Sequence, residues 1–166
     1  MFKKICSMRD LQFSELMSVY EQTNREIAED EYSHLDRNSG LIQAEQFAYQ
    51  YLKDVFFQTP GAFYAVWIEK GKMVSAMRME PYRDGWLLEG LETAPEHRRK
   101  GYATSLMQAV LQQCKAEGKL PVYSHIAKKN RASICAHKKC GFICMLDYAV
   151  EIDGSLLRNS ATFRYL

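Results

Sequence analysis

The stretch of the chain richest in chemistry is Leu91 to Ala103, LETAPEHRRKGYA, where an apolar strand passes through a basic, glycine-containing turn into a helix. The first backbone N–H groups of a helix lack intrahelical partners and carry the positive end of its dipole. Arg99, Lys100, Gly101, Tyr102, Ala103 and Thr104 can therefore present amides to a pyrophosphate. Arg98, Arg99 and Lys100 add charge where phosphate oxygens would sit. Gly101 lets the backbone approach a ligand without a Cβ in the way, and small Ala103 leaves room above the turn. An ordinary charged helix entry has the same composition, so the turn needs a second signal beside it. No GxGxxG follows the first strand and no GxxxxGK[ST] occurs, which argues against a dinucleotide fold or a P-loop enzyme.

The second signal lies downstream. Arg98-Arg99-Lys100-Gly101-Tyr102-Ala103 resembles the R/Q-x-x-G-x-G/A signature of the GNAT superfamily, and NRASICAHKKCGF resembles that family's N-x-x-A-x-x-L-Y-x-K-x-G-F at Asn130, Lys139, Gly141 and Phe142. The resemblance implies an N-acetyltransferase that uses acetyl-CoA as cosubstrate without a metal, moving the acetyl group to an amine of a small molecule or peptide by direct attack in a ternary complex. It implies coenzyme contacts from Arg98 to Thr104, Asn130, Ser133, His137 and Lys139, and a pantetheine arm lying along the backbone of Leu91, Glu92 and Thr93 like an added strand. Ser133 stands where alanine is common, Ala136 replaces leucine, and His137 occupies the place of a tyrosine that in relatives often protonates the departing thiolate. A histidine, with an ordinary pKa of ~6.5, can also donate that proton. The competing reading of His137 is a helix-end residue without a catalytic part, and His125, on a strand, reads as structural.

An alkylamine is protonated at neutral pH and must lose a proton before it attacks a thioester. Glu89 and Glu92 are the carboxylates placed to take it, a charged side chain in a doubly covered strand needing a reason. They have opposite parity, and Gly90 between them can mark a bulge that re-aims them. The connection EIAEDEYSHLDRNSG offers Glu29, Asp30 and Tyr32 as acceptor-binding groups, with Tyr148 and Arg158 on the opposite wall, although a solvated acidic loop has the same composition.

The elements that must position these groups follow from periodicity. A strand at Phe2 to Met8 leads to a helix capped by Asp10 and running to Ala28, then a second helix from Leu41 to near Pro60. AFYAVWIE, KMVSAMRME and WLLEGLETA read as an antiparallel meander, Tyr102 to Gly118 as a helix, Leu120 to Ile126 as a strand, and Arg131 to Cys140 as a short helix. FICMLDYAVEI and SLLRNSATFRY flank an Asp153-Gly154 turn as two last strands. The sum is an α/β chain, a mixed and mostly antiparallel sheet with helices on both faces, forming one domain over residues 1–166.

Net charge is +2, with 22 basic and 20 acidic side chains, too balanced to advertise nucleic acid or an anionic membrane. The clusters HRRKG and AKKNR are better explained by the phosphates of coenzyme A than by an oligonucleotide. No run approaches the roughly 20 apolar residues of a membrane span, and no secretory leader is present, so a cytoplasmic monomer or homodimer is expected. The five cysteines have no closely spaced pair and read as reduced thiols rather than zinc ligands. A non-catalytic acyl-CoA sensor on the same fold is the alternative reading of function.

Overall fold

The computed structural model describes all 166 residues, Met1–Leu166. Strand β1 (Phe2–Ile5) leads into helices α1 (Phe13–Val19), α2 (Glu21–Glu31) and α3 (Arg37–Asp54). The single helix expected up to Ala28 is two, interrupted at Tyr20, whose hydroxyl donates across the molecule to the Gly90 carbonyl. Asp10 does not cap it: the residue lies in a short 3-10 turn, where its carboxylate accepts from the Ser7 hydroxyl. Asp36 caps α3 instead, accepting from the N–H groups of Asn38 and Ser39.

The meander appears as expected, β2 (Phe63–Glu69), β3 (Lys72–Tyr82) and β4 (Gly85–Thr93) pairing antiparallel. Helix α4 (Tyr102–Ala116) then carries the chain to β5 (Val122–Ala127), which lies parallel to β4. Helix α5 (Arg131–Lys139) and strands β6 (Ile143–Leu146), β7 (Ala149–Val150), β8 (Leu156–Leu157) and β9 (Ser160–Tyr165) complete the order. The seven-stranded sheet runs β1-β2-β3-β4-β5-β9-β6, and β4–β5 is its one parallel pair. The last two expected strands each break in two: β6 and β9 join the main sheet, while β7 and β8 form a separate hairpin.

Strand alternation hands the two faces of the sheet to different layers. On one, Met77, Met79 and Leu88 meet Leu106, Met107, Val110 and Leu111 of α4. On the other, Tyr64, Val66 and Ala76 meet Leu16, Val19, Leu52 and Phe56 from the N-terminal helices. Each such large apolar side chain contributes about 1.5–3 kcal/mol when fully buried. Arg78 and Glu80 share a strand with Met77 and Met79 but face the second layer with Ala76 and Tyr82. Polar groups there cost desolvation unless they are paired, and Arg78 has Glu89 of β4 beside it at 3.4 Å. All five cysteines are free thiols, and no helix is long and apolar enough to cross a membrane.

Candidate active site

Strands β4 and β5 are bonded only where they begin, at Trp86–Val122, Leu87–Tyr123 and Leu88–Ser124. Beyond Leu88 the two part, leaving the β5-facing edge of Glu89 to Thr93 without a strand partner. Register against β3 pairs Arg78 with Glu89 and Ala76 with Glu92, so β4 uses one more residue than β3 across this stretch. The extra residue is a bulge at Gly90–Leu91, with Gly90 at φ +57°. It turns Glu89 and Glu92 onto the same face in spite of their opposite parity.

At the C-terminal end of β4 the chain enters the basic turn. No hydrogen bond uses the backbone N–H of Arg99, Lys100, Gly101, Tyr102, Ala103 or Thr104; the first helical bond of α4 runs from Ser105 to Gly101. Five of these six residues, all but Lys100, border a cleft of 540 Å³ whose near side also includes Leu91 and Thr93, and whose far side is Ala132, Ser133, Cys135, Ala136 and Lys139 of α5. Gly101 sits in the left-handed region at φ +85° with nothing within 4 Å of where a Cβ would stand, so the space above it is free for a ligand. Two of the expected phosphate cations are otherwise engaged. Arg98 donates to the Thr93 carbonyl at 3.0 Å and to Gln22 of α2, and lies 3.6 Å from Glu92. Lys100 turns back to the Glu96 carbonyl at 2.9 Å. Arg99 and Lys139 are left to supply charge to the cleft.

The cleft adjoins an inner cavity of 160 Å³ in the gap between β4 and β5, lined by Glu89, Gly90, Leu91, Ser124, His125, Asn130 and Ser133 among others. Leu91 and Ser133 border both spaces. Asn130 caps α5, its side-chain oxygen accepting from the Ser133 N–H at 3.0 Å. Glu92 is tied down by the Thr23 hydroxyl at 2.9 Å as well as by Arg98. Glu89 alone of the two glutamates reaches the inner cavity.

His137 is a correction. Expected at the cleft as a proton donor, it is 1% exposed, packed edge-to-face on Phe142, and borders neither space. Its Nδ1 lies 2.8 Å from the Ser133 carbonyl, which can only accept, so the ring proton resides there and Nε2 is left buried and unbonded. Burial lowers its pKa further from the charged form. The signal for this was in the sequence, since His137 falls three residues from both Ile134 and Cys140, on the stripe of α5 that meets the core.

The acceptor residues are likewise rearranged. Glu29 and Tyr32 line a pocket at the turn between α2 and α3 that shares no residue with the cleft or the inner cavity, and Asp30 is exposed and borders none of these spaces. Tyr148 and Arg158 lie together in a hollow at the base of the β7–β8 hairpin. What surrounds Glu89 instead is a polar group drawn from five elements. Arg78 of β3 lies 3.4 Å from Glu89 and under the ring of Tyr51 from α3. Glu80 is buried with one carboxylate oxygen unbonded, and burial together with the Glu89 charge raises its pKa. His125 of β5 stacks against Tyr82, and its Nδ1 lies 3.7 Å from Glu151, which follows β7. Tyr82 donates to the Val150 carbonyl and Thr162 to that of Tyr148, so the hairpin is docked against the sheet beside this group. Histidines and glutamates that periodicity alone would assign to strand packing thus converge; the alternation of Arg78 and Glu80 with buried methionines was the readable hint.

Comparison with known proteins finds the same fold in solved structures. The chain resembles the aminoglycoside 6'-acetyltransferase type Ii structure with a TM-score of 0.65 at 12% identity, over 99% of this chain and 96% of that one. The coenzyme A complex of the PaiA N-acetyltransferase from Thermoplasma acidophilum gives 0.64 at 12%, over 99% and 98%. The ribosomal-protein-alanine N-acetyltransferase from Brucella melitensis gives 0.64 at 17%, over 100% and 99%. No curated protein sequence matches the chain significantly. A sequence profile described as the acetyltransferase (GNAT) family matches residues 15–142, which take in the basic turn, the β4–β5 gap and the α5 wall, and the chain therefore belongs to the GNAT family of acetyltransferases.

Proposed function

We propose that residues 1–166 act as one catalytic domain that transfers an acetyl group from acetyl-CoA to a primary amine of a small molecule or peptide by direct attack in a ternary complex. The observation that carries this is the run of six unbonded amides from Arg99 to Thr104 on a cleft that adjoins the inner cavity at Glu89. In this reading the amides and Arg99 hold the pyrophosphate, and the free edge of Leu91 to Thr93 takes the pantetheine. Asn130, Ser133 and Lys139 form the opposite wall. The thioester then reaches the gap between β4 and β5, where Glu89 takes the proton of the incoming amine. The nitrogen attacks the thioester carbonyl, the C–N bond forms, the C–S bond breaks, and the thiolate is protonated by a group other than His137. Glu92 serves by holding Arg98 and α2 against the turn.

Solved relatives include aminoglycoside and ribosomal-protein-alanine acetyltransferases by name, so both small cations and peptide N-termini belong in the first substrate panel. The test measures free thiol released from acetyl-CoA against that panel, beside acetyl-CoA affinity by calorimetry. Thiol release that depends on an amine is expected. Tight acetyl-CoA binding with no release against any amine would instead favour a sensor that binds the thioester without turnover, and absence of binding would remove the coenzyme assignment altogether.

A further inference from the structure

We propose that Glu89, His125 and Glu151 form a three-point seat for the primary ammonium group of the acetyl acceptor, each side chain offering one acceptor atom to one N–H. The inference rests on the acetyltransferase reading above and specifies its second substrate: an unhindered primary alkylammonium ion rather than an aryl, tertiary or quaternary amine.

The three side chains face one another closely enough to share one ligand. One ligand atom from each of the three side chains lies within 4.8 Å of the other two. Three acceptors bonded to a single tetrahedral nitrogen at ordinary hydrogen-bond lengths stand about 4.6 Å apart. His125 Nδ1 and Glu151 stand 3.7 Å apart, so that edge opens somewhat to take an ammonium nitrogen and would close slightly, to about 3.4 Å, around a tetrahedral zinc ion. His125 supplies the independent sign that something is meant to be held. Its side chain is only 4% exposed, yet neither ring nitrogen has a hydrogen-bond partner, a costly state for a buried polar group. Glu89 and Glu151 keep 20% and 29% of their side-chain exposure, so a ligand has a way in.

Charge points the same way. Glu89 has Arg78 at 3.4 Å, whereas the ion-pair partner of Glu151 is His125. Burial pushes His125 toward its neutral form and, with Asp153 nearby, pushes the Glu151 carboxyl up. Glu80, Glu89 and Glu151 thus share a single cation, Arg78, and the excess of carboxyl groups attracts a bound ammonium ion. The seat also borders the inner cavity through Glu89 and His125, which places the nitrogen beside the gap that the thioester enters.

The test follows the side-chain resonances of His125 by NMR in the full chain without acetyl-CoA, assigned with His125→Asn. n-Propylammonium chloride is expected to give a saturable shift, and tetramethylammonium chloride, with the same charge and no N–H, none. Glu151→Gln should weaken the propylammonium response about tenfold, the cost of one charged hydrogen bond, with acetyl-CoA affinity by calorimetry unaltered. An equal response to tetramethylammonium overturns the proposal, as does an undiminished response in Glu151→Gln. A stoichiometric shift with zinc chloride that n-propylammonium cannot displace also overturns it, in favour of a metal site. The comparison of salts uses the unaltered chain and needs no variant to fold. Because it is read without acetyl-CoA, failure of the seat leaves the acetyltransferase reading standing, and failure of acetyl-CoA binding leaves the seat to be judged on its own.

Discussion

The two sides of the β4–β5 gap are built from different materials. The side proposed to hold the coenzyme is backbone: six successive amides, an open space over Gly101 and a free strand edge, all within one stretch of chain from Leu91 to Thr104. The side proposed to hold the acceptor is side chain, with Tyr51, Arg78, Glu80, Glu89, His125 and Glu151 brought together from α3, three strands and the hairpin. Backbone recognition depends on conformation and tolerates most side chains, whereas a polar cluster depends on each member's identity. Substitutions should therefore separate cleanly, coenzyme affinity failing on one side and turnover on the other.

The largest effect is expected at Glu89. Glu89→Gln keeps an oxygen for Arg78 but removes the proton acceptor, and general base help is commonly worth about 10²–10⁴-fold. A loss in kcat of at least about 100-fold, with acetyl-CoA affinity unchanged, is the predicted result. Were the affinity to fall and kcat to hold, the division between the two sides would be misdrawn.

Gly101→Val probes the other side. The φ of +85° is strained for any β-branched residue, by roughly 1–3 kcal/mol, although a Cβ there would touch nothing. The turn relieves that strain by leaving the conformation that aims its amides, so acetyl-CoA binding should weaken about tenfold by calorimetry while kcat at saturation changes little. Unaltered affinity would show that the amides of this turn do not hold the coenzyme.

How much of each side could be read in advance follows from the same difference. The turn is contiguous, and helix-start geometry with Gly101 says what Arg99 to Thr104 can do before any contact is known. The order of elements from β2 to α5 is equally local, since each apolar run carries its own period. The acceptor side depends on facts that no window of sequence holds. One is the bulge at Gly90–Leu91, which cancels the parity difference between Glu89 and Glu92. Another is the break of the last two strands into four, which brings Glu151 to His125. Glu29 and Tyr32 line a pocket of their own, because α2 runs outward from its start near Glu92. His137, by contrast, matched a motif by position while its place on the apolar stripe of α5, packed against Phe142, was open to reading.

A smaller effect is expected at Asn130, which stands between the two regimes because it lines the inner cavity and also caps α5. Asn130→Ala removes the bond to the Ser133 N–H, worth about 0.5–2 kcal/mol of stability. It should lower the melting temperature and raise the KM for acetyl-CoA several-fold. Replacement by Asp, which restores a cap acceptor, should recover stability; if it recovers the KM as well, the part Asn130 plays is capping alone.

The smallest effect, and the sharpest check on His137, is a slope. His137→Leu, close in volume, deletes both the bond to the Ser133 carbonyl and the orphaned Nε2, so stability near neutral pH should move by no more than about 1 kcal/mol. A kcat close to that of the parent chain is expected too, because His137 borders neither the cleft nor the inner cavity. Acid behaviour is where the two chains should part. Burial depresses the pKa of His137 in the folded chain, so below the ordinary value of ~6.5 the unfolded chain binds a proton there that the folded chain refuses. Stability contributed by the neutral ring is thus complete above that pH and is lost as pH falls through the window beneath it, by at most about 1.4 kcal/mol per pH unit. His125 is depressed in the same direction but is present in both chains, so the difference between them isolates His137. Urea unfolding at about pH 7.5 and pH 5.5 should show a shallower acid loss in His137→Leu than in the parent. Parallel losses would mean that His137 is not held neutral by burial, and a hundredfold fall in kcat would return it to the chemistry from which its packing removes it.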